Sequence, residues 1–310
     1  MNFTKYGKSV YGKCCLGLII LAFILSKIDL QSSKTILSQI GIYNFLAVLC
    51  IYLIGQTISS CKWSLISAHI GFTCTFSEYL RFYFQGIFYN LFLPTGVGGD
   101  VIKGYFLYKH DKLRLKPDYA ACSLLSDRVS GVLVLLMLLL IGNILHFKQL
   151  PVLINWILIS GIVIISGFVI LIVYISYKRI LFKNKLINRI LFFIRLYFDK
   201  AVLKIFTLSI LFHLMLIAIH IIIGWDLNLK ISWSYYLVLY PATAILSSLP
   251  VSLNGIGIRE WAYIFFLGMA GINSSVAFVF ALYWGFLMLT TGLIGSVFLL
   301  NWNKNEASAS

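Results

Sequence analysis

Apolar positions in this chain do not alternate. They run in uninterrupted blocks near 14–31, 42–60, 119–142, 152–176, 204–224 and 274–300. At a rise of about 1.5 Å per residue, blocks of this length span, or nearly span, roughly 30 Å of hydrocarbon as helices, which predicts six spans. Two further apolar stretches break that pattern. Residues 82–110 are interrupted by LPTGVGGD, and residues 233–271 by SLPVSLNGIGIRE.

The two interruptions resemble each other. Each follows an apolar helix with Leu-Pro, then small residues with two close glycines, then a charged residue or pair, then a second short apolar helix. A helix of 10 to 13 residues rises only roughly 15–20 Å. The pattern therefore predicts that 82–93 descends to mid-membrane, turns between Pro94 and Gly99 and returns along 101–109, while 233–271 does the same from the opposite side around Pro250. Non-helical backbone at that depth is tolerated only where protein buries it or water lines it, so both turns are expected to meet in a protein-lined cavity. The fold expected is an all-α polytopic membrane protein, one domain of 310 residues with six full spans and two re-entrant broken-helix hairpins. The first repeat covers about 14–142 and the second about 152–300, in inverted orientation.

Charge adds orientation. The chain is 60% hydrophobic, 16% aromatic and 11% charged, with a formal net charge of +15. Counted by expected loop, 19 Lys and Arg fall on the side of the N-terminus, with Lys62, Arg81 and the clusters 103–116 and 178–204 among them, against four on the other: Lys27, Lys34, Lys148 and Lys230. The positive-inside rule then puts both termini in the cytoplasm of a cell inner (plasma) membrane. Short basic loops of this kind meet anionic headgroups, so nucleic acid is not the expected partner. The basic N-terminus reads as leading into a retained first span, and residues 177–200 as a cytoplasmic interfacial helix. The six cysteines have no metal-ligand spacing, and neither a metal nor a cofactor is expected.

The candidate chemistry sits at the two turns. Each returning helix would aim free N–H groups and the positive end of its dipole at an anion. Gly98, Gly99, Gly255 and Gly257 would let backbone approach it closely, with Pro94 and Pro250 as hinges. Arg128, inside the third span beside Asp127, and Arg259 are the candidate anion-binding cations, since a guanidinium contacts phosphate bidentately. Asp100 and Glu260 are their expected holders, and Lys103 an i,i+3 surface partner of Asp100 or a headgroup contact. His213 and His220, seven apart on one face of the fifth span, read as neutral packing residues, with a proton relay as the alternative.

FLPTGVGGDVIK (Phe92 to Lys103), LLSDRVSG (Leu124 to Gly131) and LPVSLNGIGIREW (Leu249 to Trp261) together resemble the family named for the lysylphosphatidylglycerol synthase transmembrane region, also called flippase-like proteins. Asp127 stands where that family usually has Glu, and Lys103 where Arg is common. The resemblance implies re-entrant helices and a lipid translocase that moves a phosphate-bearing lipid between leaflets. That lipid would be a phospholipid, an aminoacyl-phospholipid or a polyprenyl-phosphate-linked lipid. In the founding members a soluble aminoacyltransferase domain follows this region, and Ser310 is expected to leave no room for one. The chain is thus expected to be no enzyme, its partners being membrane lipids and, as a candidate, a second copy of itself. A membrane-embedded lipid transferase using Asp100 or Glu260 as general base, and a scaffold for a lipid-modifying enzyme, are the alternatives.

Overall fold

Long apolar runs form helices because lipid leaves the backbone no other way to pair its polar groups. A computed structural model describes residues 19–38, 40–93, 98–110, 115, 117–148, 150–178, 188, 202–249 and 252–299. The helices are α1 (19–27), α2 (Leu30–Ser38), α3 (Ile42–Ile70), α4 (Phe76–Asn90), α5 (Gly98–His110), α6 (Pro117–Leu145), α7 (Val152–Tyr177) and α8 (Val202–Asp226). They continue with α9 (Tyr236–Ser248), α10 (Ile258–Met269) and α11 (Ser274–Gly295). No strand occurs among the described residues.

Among the described residues, four segments are long and apolar enough to cross a membrane: α3, α6, α8, and α11 with its extension to Leu299. They correspond to four of the six expected spans, while α4, α5, α9 and α10 have 15, 13, 13 and 12 residues. The longest of these rises about 22 Å, too short to cross. The outward surface is apolar: Trp156, Val163, Ile164, Phe168 and Ile170 of α7 are exposed, while Gln56, Ser59, Ser60, Ser67, Asn143 and Asn155 are buried. Water would reverse that arrangement, and lipid explains it.

Three expectations are corrected. The expected span 14–31 does not run through, since α1 stops at 27 and α2 begins afresh at Leu30. The Asp29 carboxylate causes the restart by accepting N–H bonds from Gln31 (2.9 Å) and Ser32 (3.2 Å) as a helix cap. The Ser32 hydroxyl and N–H hold that carboxyl below its usual range. The descending helix of the first hairpin starts at Phe76, well before 82, because Glu78 closes the turn by accepting from the Thr75 N–H at 2.6 Å. Finally, Lys62, Arg81 and Lys103 are not loop charges. They lie in α3, α4 and α5. Pro94, Pro250 and nearly all of 177–200 lie outside the described residues.

Packing separates two compact units, each drawn from both halves of the sequence. The first comprises Met1–Leu53, Phe84–Gly99 and Leu216–Ser310. In it α10 packs on α9 and α11, and α2 on α11, with Ile24, Ile28 and Phe278 forming one buried cluster. The second comprises Ile54–Tyr83 and Asp100–Met215. There Ile66 of α3 meets Ile205 of α8, and Asn143 of α6 donates to Asn155 of α7 at 2.8 Å.

Candidate functional site

The second unit buries charge. Asp100, third residue of α5, accepts from Lys103 Nζ at 2.7 Å and from Arg128 Nε of α6. The Lys103 ammonium also lies 4.3 Å from the Tyr83 ring centre and 5.4 Å from that of Trp63, where ring electrons replace some of the hydration it has lost. Tyr83 donates its hydroxyl to Ser59 at 2.7 Å, and Trp63 its indole N–H to Ser123 at 3.2 Å. The expected surface partner is therefore a buried one: Lys103 is 7% exposed, whereas the Arg128 side chain is 42% exposed. Asp127 pairs with Lys62, whose ammonium lies 3.1 Å from Oδ1 and donates to the Asp127 carbonyl at 3.2 Å. Lone buried ions cost several kcal/mol each, a cost that pairing offsets.

The first unit holds the second pair. Gly257, at φ 84, caps α10, a conformation that a side chain would strain. Its N–H donates to Glu260 Oε2 at 2.6 Å, closing the N-terminus as a capping box does. The other carboxylate oxygen receives Arg259 Nε at 2.9 Å and Nη2 at 2.5 Å. Arg259 Nη1 has only the Met288 thioether, at 3.6 Å. Two of the five guanidinium N–H donors are thus without an acceptor among the described residues. The guanidinium lies on the face of α11 at Gly285, where a Cβ would come within 2.7 Å of Nη2.

Beside it opens a cavity of about 760 Å³, walled by Leu37, Ile42, Phe45, Phe286 and Leu289 among others, with Arg259, Gly285 and Tyr283 on its lining. Its size is that of an ordinary small-molecule site. Tyr283 donates to Asp226 at 3.2 Å, and Asn44 donates to the same carboxylate at 2.5 Å.

The sequence-derived candidates thus fall into two groups, Asp100 with Arg128 and Lys103, and Arg259 with Glu260. The glycines carry a different emphasis. A Cβ on Gly99 would run into the Gly86 carbonyl and the Asn90 amide, and the Gly99 N–H already donates to Asn90 Oδ1 at 2.6 Å. Close helix contact within the hairpin accounts for glycine there. Gly98 is crowded by Leu93, and Gly255, at φ 76, lies against Ser247. His220 is a neutral packing residue. Its Nδ1–H donates to the Leu216 carbonyl (2.7 Å), so Nε2 accepts from the Tyr263 hydroxyl (2.7 Å), and the ring sits among Tyr240, Phe280 and Trp284. His213 is buried on α8 facing Gly131.

Lys62 and Trp63, Tyr83, Gly285 and the cavity-lining aromatics were missed. For Lys62 a signal existed: Gln56, Ser59, Ser60, Trp63 and Ser67 recur at helical spacing. That is a polar face inside an apolar run, which a loop would not need.

Comparison with known proteins agrees with this architecture. The family model described as "Lysylphosphatidylglycerol synthase TM region" matches residues 10–295. The UPF0104 membrane protein MJ1078 of Methanocaldococcus jannaschii is 30% identical over 205 residues, covering 62% of this chain and 84% of that protein. Its name gives a membrane setting and no activity. Matched along nearly its whole length, the chain belongs to the family of the lysylphosphatidylglycerol synthase transmembrane region and is an all-α polytopic membrane protein.

Proposed function

We propose that this protein is a lipid translocase that moves a phosphate-bearing lipid between the leaflets of the plasma membrane, with both termini cytoplasmic and the α4–α5 and α9–α10 pairs acting as re-entrant hairpins. One observation carries this reading: an apolar cavity of about 760 Å³ with the Arg259 guanidinium on its wall. Apolar walls suit an acyl or prenyl chain, gaining about 0.8 kcal/mol per buried methylene. A guanidinium with N–H donors to spare suits the phosphate at that chain's end. A buried cation beside a greasy cavity has no use for a neutral hydrocarbon, and an apolar cavity none for a free ion, so the pair selects an amphiphile. The family gives the same membrane context.

The transferase reading requires Glu260 or Asp100 to take up a proton. Both oxygens of Glu260 are engaged, by Gly257 and Arg259, and both oxygens of Asp100 by Lys103 and Arg128. With both oxygens so occupied, neither carboxylate presents one to a substrate proton.

The experiment is reconstitution into proteoliposomes containing headgroup-labelled phosphatidylglycerol, with leaflet distribution and lipid mass followed together. Wild type is expected to exchange leaflets without changing mass, and Arg259→Met to lose at least about tenfold in rate, roughly the 1.4 kcal/mol of one charge-assisted hydrogen bond. A new lipid mass, or no exchange above protein-free liposomes, would overturn the translocase reading.

A further inference from the structure

Packing explains where the His220 ring lies, but not what surrounds it. The ring is fully buried on α8, and four aromatic rings from three other helices face it. Between ring centres, Tyr240 of α9 stands at 5.0 Å, Tyr263 of α10 at 5.8 Å, and Phe280 and Trp284 of α11 at 5.7 and 4.5 Å. All four lie within the roughly 6 Å over which an aromatic ring attracts a cation. Such a cage replaces the hydration of a buried positive charge, and among the described residues the one group inside it able to become positive is the imidazole itself. The titratable and charged groups around the ring are Tyr240, Tyr263 with Arg259 and Glu260 of α10, and Tyr52 of α3, whose ring centre is 5.5 Å from that of Trp284. Arg259 and Glu260 neutralise each other, so no uncompensated cation among these groups opposes a proton on His220.

The hydrogen bonds accommodate two proton states. In the described one His220 is neutral: Nδ1–H donates to the Leu216 carbonyl, and Nε2, the one nitrogen with a lone pair to offer, accepts from the Tyr263 hydroxyl. A proton on Nε2 would reverse that bond. The new N–H would donate to the Tyr263 oxygen, and the tyrosine would need another acceptor for its own proton. Thr243 of α9 is that acceptor. It is the second hydrogen-bond neighbour of the Tyr263 hydroxyl, and its own hydroxyl proton is committed to the carbonyls of Leu239 and Tyr240 at 2.8 and 2.9 Å, which leaves its oxygen to accept. Neither state strands a buried polar group, the cost that would otherwise forbid the second. A histidine kept for packing alone has no use for that second acceptor.

We propose that His220 takes up and gives back one proton in each transport cycle, which makes the translocase proton-coupled, with Tyr263 relaying the proton state to the helix that carries Arg259. The step makes one N–H bond at Nε2 with a proton drawn from water on one side of the membrane, and breaks it to return the proton to water on the other. Nothing is oxidised or reduced. Tyr263 lies one turn beyond Arg259 on α10, and Thr243 lies on α9. When the tyrosine turns its proton from His220 to Thr243, the bond between α8 and α10 reverses and the one between α9 and α10 gains a donor, so both limbs of this hairpin respond to the proton. The inference rests on the proposed function for its cargo and adds the source of energy.

Two measurements test it. Protein with isotope-labelled histidine nitrogens, held in phosphatidylcholine nanodiscs, would be titrated by NMR from about pH 5 to about pH 8. The His220 signals are identified by their loss in His220→Gln or their displacement in Tyr263→Phe. Proteoliposomes with headgroup-labelled phosphatidylglycerol and a trapped pH dye would be given a gradient of about one pH unit, leaflet exchange and lumenal pH being read together. His220 Nε2 is expected to become protonated within that range, and the gradient to change wild-type exchange by up to about tenfold, the limit set by one proton per unit. His220→Gln keeps an acceptor for the Tyr263 hydroxyl but cannot carry the charge, and should exchange at one rate with or without the gradient. Tyr263→Phe should still titrate yet respond to the gradient by less than about twofold, while His69→Gln, on an exposed position of α3, should respond as wild type does. An Nε2 that stays unprotonated throughout, or a His220→Gln variant that responds like wild type, defeats the inference, and a full response in Tyr263→Phe overturns the relay. Leaflet exchange that ignores the gradient sinks the coupling and spares the translocase reading. Titration of His220 with lumenal pH change and no leaflet exchange would sink the translocase reading while upholding the proton site.

Discussion

Gly285 offers a test of the Arg259 site by adding a single methyl group. In Gly285→Ala the new Cβ would lie 2.7 Å from Nη2 and 3.3 Å from Cζ of Arg259, where ordinary contact begins near 3.4 Å. The guanidinium must therefore withdraw by about 0.7 Å. It is not free to do so without cost, because Nε and Nη2 both sit on Glu260 Oε1 at 2.9 and 2.5 Å. Removing one partner of a buried pair costs about 3–5 kcal/mol, and lengthening these bonds is expected to cost roughly 1–2 kcal/mol. In a transport rate that depends on the position of the guanidinium, this is a factor of about 5–30.

Stability should move little. Alanine in place of glycine inside α11 gains about 1 kcal/mol of helix propensity, which offsets most of the crowding. Gly268→Ala is the matched control: it makes the same exchange in α10, where nothing lies within 4 Å of the added atom, and should raise thermal stability slightly with transport unchanged. The assay is leaflet exchange in proteoliposomes beside a thermal melt, run as a cycle with Arg259→Lys, whose ammonium has no Nη2 to collide with. Gly285→Ala should lose its effect in that background. A loss of the same factor in both backgrounds would show that α11 packing, and not the Arg259 contact, is what Gly285 serves.

Gly99→Ala is expected to act on folding before function. Its Cβ meets a backbone carbonyl, that of Gly86, which cannot swing aside, so a loss of about 3 kcal/mol should show as a lowered melting temperature. Normal melting with abolished transport would return this glycine to the role of ligand approach. Topology is tested with single cysteines in a cysteine-free background: those at Lys112 and Ser308 should label from the cytoplasm only, and one at Asn228 from outside only. Exterior labelling at Ser308 would refute the inverted repeat.

Helix existence was legible because lipid enforces it. The expected blocks 119–142 and 204–224 became α6 (Pro117–Leu145) and α8 (Val202–Asp226), since an apolar run in hydrocarbon has no competitor to a helix. The misreading at Lys62 has one cause. Polar residues inside apolar runs were treated as ends of spans, whereas a membrane protein turns them inward: Lys62 belongs to a buried polar face of α3, and α3 runs on to Ile70. The charged pairs at the turns were readable from the cost of an unpaired guanidinium, which led from Arg128 to Asp100 and from Arg259 to Glu260. Lys103 was readable as the i,i+3 partner of Asp100, whereas its burial against Trp63 and Tyr83 and the glycine that seats Arg259 depend on helix contacts across long sequence separations that no local pattern encodes.

The two turns, so alike in sequence, use their carboxylates differently. In both, the third residue of the returning helix is a carboxylate next to an arginine. Glu260 is long enough to cap Gly257 with one oxygen and hold Arg259 with the other, so that pair is neutral and can offer a ligand only directed N–H groups. Asp100 is shorter, and Asn90 instead caps the N–H of Gly99, which leaves both Asp100 oxygens for cations. The difference follows from one methylene in the side chain at position 100 against that at 260.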